Sequence, residues 1–367
     1  MKLRRLTGLL LSLVLLFCTG CSQSAAPRSA PFPTAEEQAL SSPPEASAEA
    51  PSNQQAEETV SAEKNAPAPA QEVSFTLCAY LPVSSMTQGA AAVAEEYAGS
   101  IAALDYLVLN TGAYWDENGA LSLSDELLDA IETLQGKTAL WCTVNPQGAL
   151  IREGTAGQSI DSPQERQALA QEIAAFAEQY GLAGIDIDWE FPLDDEWEDF
   201  STFLIALKDT LSRSSEPVAL SLALYPEEIA LSEEAIAALD RIHMMAYDQF
   251  DSEGFHSTMQ AAEDAVAYFT ALGASPQQLV LGIPTYGRPL DGSAQWVFYK
   301  DIDPESISGE NPDLVGDISF NSAATAAQKT QYALEQNLGG VMVYQLLCDR
   351  NDQDALILAC ANMAENA

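Results

Sequence analysis

From residue 73 onward, short apolar runs of strand character alternate with helical stretches, and this rhythm constrains the fold more than any other feature of the chain. Eight such runs can be placed. They begin near Phe75, Tyr106, Ala139, Gly184, Val218, Ile242, Leu279 and Gly340. Between them lie helices with readable ends: Ser162 precedes Pro163 and Glu165 as an N-cap, Gly181 follows Tyr180, and a second helix fits Ser124 to Gly136. Repeated strand–helix units favour a parallel sheet, and eight of them in roughly 290 residues match the size of a closed (β/α)8 TIM barrel. An open, doubly wound sheet is the alternative. Neither a Gly-x-Gly-x-x-Gly fingerprint nor a phosphate-cradling loop follows any of the runs, which argues against it. The expected class is therefore α/β, with a TIM barrel over residues 73–367.

What precedes the barrel reads differently. Met1-Lys2-Leu3-Arg4-Arg5 is a charged start, Leu9 to Phe17 is apolar, and Cys18-Thr19-Gly20-Cys21 offers small residues at a processing site. This is an export signal, too short to span a bilayer comfortably. The residues before Cys21 are similar to the lipobox of bacterial lipoproteins, so residues 1–21 are expected to direct acylation at Cys21; simple cleavage and release is the alternative. Residues 22–72 are rich in Pro, Ala, Ser, Glu and Gln with almost no large apolar side chains, so they are expected to form a disordered tether. The whole would stand on the bacterial cell surface, facing outward, as a monomer anchored to the membrane through Cys21.

Composition narrows the partners. With 15 basic against 54 acidic residues, a formal charge of −39, the protein's field would repel a polyphosphate, so no nucleic-acid partner is expected. Cys18 would leave with the signal. Cys78, Cys142, Cys348 and Cys360 are scattered without metal-ligand spacing, and read as small apolar core residues. No metal and no cofactor is expected.

The chemistry concentrates in Gly184-Ile185-Asp186-Ile187-Asp188-Trp189-Glu190-Phe191-Pro192. Alternate side chains of a strand share a face, about 6.6 Å apart. Asp186, Asp188 and Glu190 then share one face, and Ile185, Ile187 and Trp189 pack against helices on the other. Three neighbouring carboxylates inside a barrel repel one another and lose hydration, which is costly without a purpose. Glu190 lies nearest the C-terminal end of the strand, where barrel enzymes keep their catalytic groups.

Here the chain resembles the family 18 glycoside hydrolases, chitinase-like enzymes whose fourth strand carries Asp-Gly-x-Asp-x-Asp-x-Glu. Further landmarks follow in order: Tyr80 after the first strand, Met245-Ala246-Tyr247-Asp248 at the sixth, Gly282-Ile283-Pro284-Thr285-Tyr286-Gly287-Arg288 at the seventh and Gly339-Gly340-Val341-Met342-Val343-Tyr344 at the eighth. The resemblance implies a retaining glycosidase acting on β-linked glycans that contain N-acetylglucosamine: chitin oligomers, peptidoglycan or N-glycan cores. Glu190 would protonate the leaving group, Asp188 would hold the acetamido group whose carbonyl oxygen attacks, and Asp186 would share a proton or hydrogen bond with Asp188, together helping to raise the acid's pKa. Tyr247 would donate to the acetamido oxygen. Tyr80, Asp248, Tyr286, Arg288, Tyr344 and Trp296 would contact sugar, with Trp115 and Tyr299 as further aromatic platforms.

Three departures bear on this. Ala183 replaces the outermost Asp, Tyr344 stands where the family has a Trp floor, and Trp141-Cys142-Thr143-Val144-Asn145 replaces Ser-x-Gly-Gly on strand three, leaving its supporting serine without a certain counterpart. His243 and His256 sit in no nucleophile or metal arrangement, and Asp194-Asp195-Glu196 with Glu198 and Asp199 reads as the acidic start of a helix. Residues 289–317 are too short for the α+β domain that deepens some chitinase clefts, so a shallower groove is expected. Two other functions compete: a sugar-binding lectin on the same barrel, which would normally have lost the acid, and a solute-binding lipoprotein, which would need two open-sheet lobes.

Overall fold

A computed structural model of the chain describes residues 75–307 and 311–367. The expected signal segment, Cys21 and the linker lie outside the described residues. Eight parallel strands close into a barrel: β1 (Thr76–Pro82), β2 (Tyr106–Trp115), β3 (Ala139–Pro146), β4 (Gly184–Ile187), β5 (Ala219–Leu224), β6 (Arg241–Met244), β7 (Leu279–Pro284) and β8 (Gly340–Tyr344). Each pairs with the next, and β1 closes the ring against both β2 and β8. Every start lies within a residue or so of the expected one.

The strand period of two sorts the side chains. Leu77, Ala79 and Leu81 of β1, Leu140, Cys142 and Val144 of β3, and Ile185 and Ile187 of β4 point outward into a continuous apolar layer beneath the helices. Cys78, Tyr80, Tyr106, Val108, Trp141, Val280 and Met342 fill the interior. The four described cysteines are buried and unpaired, as core residues should be.

Helices form where the caps allow. Ser162 accepts from the Glu165 amide at 3.2 Å while Glu165 accepts from the Ser162 amide at 2.9 Å, so two orphan donors of the helix Pro163–Tyr180 are satisfied reciprocally. Such a cap is worth about 1 kcal/mol. Gly181, at φ 62°, ends that helix in the left-handed conformation. Ser124 likewise caps Asp125–Leu134. The helix Trp197–Leu211 begins with Glu198 and Asp199 in its first turn, and Asp199 pairs with Arg166 at 2.6 Å, so that acidic run is structural.

One expectation changes in detail, and the segment after β7 adds structure of its own. The β4 ladder stops at Ile187, so Asp188, Trp189 and Glu190 extend beyond the last strand pair. After β7, residues 286–319 contribute four short antiparallel strands (Tyr286–Pro289, Val297–Phe298, Leu314–Val315 and Ile318–Ser319), a small sheet within the stretch read as too short for an added α+β domain.

Candidate active site

Register builds the first part of the site. Thr143 of β3, Asp186 of β4 and Ser221 of β5 are direct neighbours across three strands, all pointing inward. Thr143 Oγ1 donates to Asp186 Oδ2 at 3.0 Å and Ser221 Oγ donates to Oδ1 at 2.5 Å. Tyr80 adds a third donor at 2.8 Å. Asp186 is thus wholly buried with its two oxygens engaged by three hydroxyl donors, which is how a buried carboxyl group is satisfied inside a barrel. Thr143 is the strand-three hydroxyl that reaches Asp186.

Asp188 is in the opposite condition. Its backbone amide donates to Asn145 Oδ1 at 2.8 Å, but its own Oδ1 is buried without a hydrogen-bond partner. Burial, then the charges of Glu190 and Asp186, push its pKa well above the ordinary carboxylate range. Asp186 was expected to share a hydrogen bond with Asp188; its oxygens are instead engaged by hydroxyls. Glu190, half-buried at the mouth, is also raised, by burial first and then by Asp248 rather than by the two inner aspartates. Trp189 packs outward against Trp115 and Phe200, which anchors the segment between two carboxylates.

Two strands along the barrel wall, Asp248 follows β6 and Tyr247. It accepts from Tyr286 Oη at 2.7 Å and pairs with Arg288. Burial pushes Asp248 up, yet contacts with His256, Tyr286 and Arg288 outweigh burial and hold its pKa below the usual value. Gly282 makes room for this arrangement: a Cβ there would stand 2.3 Å from the Met244 carbonyl and 2.9 Å from the Tyr247 ring.

Aromatic rings connect the two sides. Tyr247 stacks on Tyr344, with centroids 5.5 Å apart at 23°, and Trp296 lies flat on Tyr286 at 3.8 Å and 1°. Trp296 also meets Tyr344 edge-on at 6.3 Å. Beyond Glu190, a small cavity is lined by Phe191, Tyr225, Glu227 and Met245, with Phe191 58% exposed. The groove between Asp125–Leu134 and Pro163–Tyr180 lies at the other end of the strands and takes no part.

A scan against protein families matches residues 57–349 to glycosyl hydrolases family 18. The chain belongs to this family. Among curated relatives, the probable chitinase 2 of Drosophila melanogaster is 27% identical over 157 residues, covering 37% of this chain and 32% of its own length. Chitinase 1 of Aphanocladium album is 25% identical over 252 residues, covering 54% of this chain and 60% of its own. The chain thus spans about a third of the length of the first relative and 60% of the second, less than two thirds of either. Among solved structures, the GH18 chitinase ChiB of Flavobacterium johnsoniae superposes with a TM-score of 0.67 at 22% identity, covering 80% of this chain and 94% of that one. The likeness supports the barrel.

Several expected contacts fall elsewhere. Tyr80 and Tyr286 are 2% and 1% exposed, so they serve Asp186 and Asp248 from behind and leave no face for a sugar. Trp115, wholly buried, donates its indole N–H to Ser159 at 2.9 Å, and Tyr299 packs on Phe320 beneath Arg350. Neither is a platform, because each completes a packed core. Both histidines, conversely, belong to the site's surroundings. His243, fully buried, places Nδ1 2.7 Å from Tyr80 Oη and Nε2 2.9 Å from Tyr106 Oη, with Asp186 3.4 Å away. His256 accepts the Asp248 amide on Nε2 at 3.0 Å. Strand parity alone would have found His243, Thr143 and Ser221: each is a polar residue at an inward position between apolar, outward ones.

Proposed function

We propose that this family 18 protein cleaves β-linked glycans containing N-acetylglucosamine, with retention, using the substrate's acetamido group as nucleophile. One observation carries the reading: Asp188 Oδ1 is buried, flanked by two carboxylates, and has no hydrogen-bond partner. A buried acceptor without a donor is costly, and an acetamido N–H is a donor of the required kind. With that N–H held by Asp188 and the acetamido oxygen by Tyr247 Oη, the oxygen attacks the anomeric carbon. The glycosidic bond breaks as Glu190 gives its proton to the departing oxygen, and a cyclic oxazolinium forms. Water, deprotonated by Glu190, then opens the ring at the anomeric carbon, so configuration is inverted twice and retained. The raised pKa of Glu190 suits the first step, since the acid must enter protonated. Tyr344 and Trp296 would support the sugar, and Asp248 with Arg288 would bind its hydroxyls.

Incubation of the full chain with chitin oligomers, peptidoglycan fragments and an N-glycan core, followed by product mass analysis, tests this reading. Cleavage of at least one is expected. Binding without cleavage would favour a lectin, and neither binding nor cleavage would remove the glycan reading altogether. For the anchor, Cys21→Ala is expected to shift the protein from membrane to soluble fraction or leave it unprocessed, because the acyl chains would supply the membrane affinity. Equal partition of variant and parent in detergent phase separation would count against lipidation.

A further inference from the structure

Lys329, on the helix Ala323–Glu335, is wholly buried, and it forms no ion pair among the described residues. A buried cation whose hydrogen-bond partners are all neutral is expensive, and packing alone would be served by an apolar residue. Its Nζ donates to the Ser257 carbonyl at 2.7 Å, Ser257 Oγ at 3.0 Å and Asn321 Oδ1 at 2.8 Å. These acceptors lead toward the sugar-binding side of the site. Ser257 Oγ donates onward to the Ala246 carbonyl at 2.8 Å, next to Tyr247, and the Ser257 amide donates to Gln249 at 2.9 Å. The preceding residue, His256, holds the Asp248 amide. Asp248 and Ser257, at φ 62° and 49°, both occupy the left-handed region, which non-glycine residues hold only when their surroundings fix them.

We propose that Lys329 is a positioning residue whose buried ammonium, through Ser257, locks the loop that presents Tyr247 and Asp248 to the sugar. This rests on the sugar-binding role given to those two residues above. The charge state matters for geometric reasons. The Ser257 hydroxyl spends its hydrogen on Ala246, and Asn321 turns its amide nitrogen to the Ser257 carbonyl at 3.0 Å, so all three oxygens offer only lone pairs to Nζ. An ammonium, with three N–H groups, satisfies them all; a neutral amine cannot. The titratable groups whose charge reaches Lys329 are Asp313 and the Cys360 thiol of the C-terminal helix, and on the loop side it acts in turn on His256. Burial pushes Lys329 down to about 7, with Asp313 and Cys360 pulling it back up. As pH rises through that value the ammonium is lost and the lock loosens, so sugar affinity falls. Global stability moves the other way: a base whose folded pKa lies below its unfolded one gains stability from that pKa upward. A residue that was merely structural would not separate the two trends.

The experiment is calorimetric binding of the N-acetylglucosamine tetramer to the full chain in a Glu190→Gln background, which blocks turnover, between about pH 5 and pH 9. Lys329→Met is expected to bind at least roughly 10-fold more weakly near pH 6 and to lose the parent's alkaline weakening, because charge-assisted hydrogen bonds are the ones removed. Thr330→Val, which deletes a buried hydrogen bond within the same helix, should lower thermal stability and leave affinity unchanged. A folded Lys329→Met that binds with the parent's affinity and pH dependence would overturn the proposal. Should that variant fail to fold, Ser257→Ala decides, since it keeps the lysine and its bonds to the Ser257 carbonyl and Asn321 but removes the hydroxyl that joins Nζ to the Ala246 carbonyl; parental affinity in it would overturn the proposal equally. Absence of binding by the parent would remove the sugar-binding reading, and this inference with it.

Discussion

Two carboxylate sites stand at the ends of β4 and β6, with β5 between the two strands, and they are tuned in opposite directions. Asp188 and Glu190, beyond β4, are desolvated and repelled by neighbouring acids, so both hold protons above the ordinary range. Asp248, beyond β6, is also largely buried, but Tyr286, Arg288 and His256 compensate it and keep it ionised below that range. The same functional group is thereby split into acids and an anion by environment alone. Burial does not decide the role of a carboxyl in this barrel; the presence or absence of donors does. The difference also has a mechanical reason. The β6 side is laced to the small antiparallel sheet through Arg288, whereas the β4 side extends past its last strand pair and leaves Asp188 Oδ1 without a partner.

Breaking the acid side should have the largest effect. Glu190→Gln removes the proton donor and is expected to lower turnover by about 100-fold or more while sugar binding persists. The fold should not suffer. A carboxyl whose folded pKa is raised contributes stability that is present at low pH and lost as pH rises through that pKa, so at neutral pH the neutral amide should give an equal or higher thermal midpoint. Near-parental turnover, measured by reducing-end release, would sink the assignment.

Softening the anion side should be milder and should reveal the coupling. Asp248→Asn removes a charge that raises Glu190, and activity requires Glu190 protonated, so the alkaline limb of the kcat/KM profile should move to lower pH. The loss of a charged hydrogen-bonding partner should also cost about 10-fold in kcat/KM. An unmoved limb would mean that Asp248 does not act on the acid.

The smallest effect is expected at the rim. One face of Trp296 is covered by Tyr286, so Trp296→Ala should raise KM by a few-fold, on the order of the roughly 1 kcal/mol of an aromatic contact, with kcat retained. A fall in kcat alone would place Trp296 nearer the reacting atoms than its stacking suggests.

The barrel and the acid side of this contrast were legible in the sequence. The period-two alternation from Gly184 to Glu190 announced an inward acidic face, and the eight apolar runs located all eight barrel strands. What escaped is explained by distance along the chain. Tyr80, Thr143, Ser221 and His243 converge on or beside Asp186 from four other strands, and only barrel closure brings them within reach. Loop aromatics were misread for a related reason: Trp115 and Tyr299 look alike to a pattern, and burial is settled by partners such as Ser159 and Phe320 far away in sequence. Lys329 carried no signal at all, since a lysine on a helix is ordinarily solvated.

The proposed partnership between Asp188 and an acetamido group can be tested on the substrate instead of the protein. Matched oligosaccharides, one fully N-acetylated and one deacetylated at the sugar on the scissile bond, would be hydrolysed side by side while proton NMR follows the first-formed anomer. The acetylated sugar is expected to be cleaved with retention and the deacetylated one not to be cleaved. Equal rates on the two, or an inverted first product, would contradict it even if Glu190 proved essential.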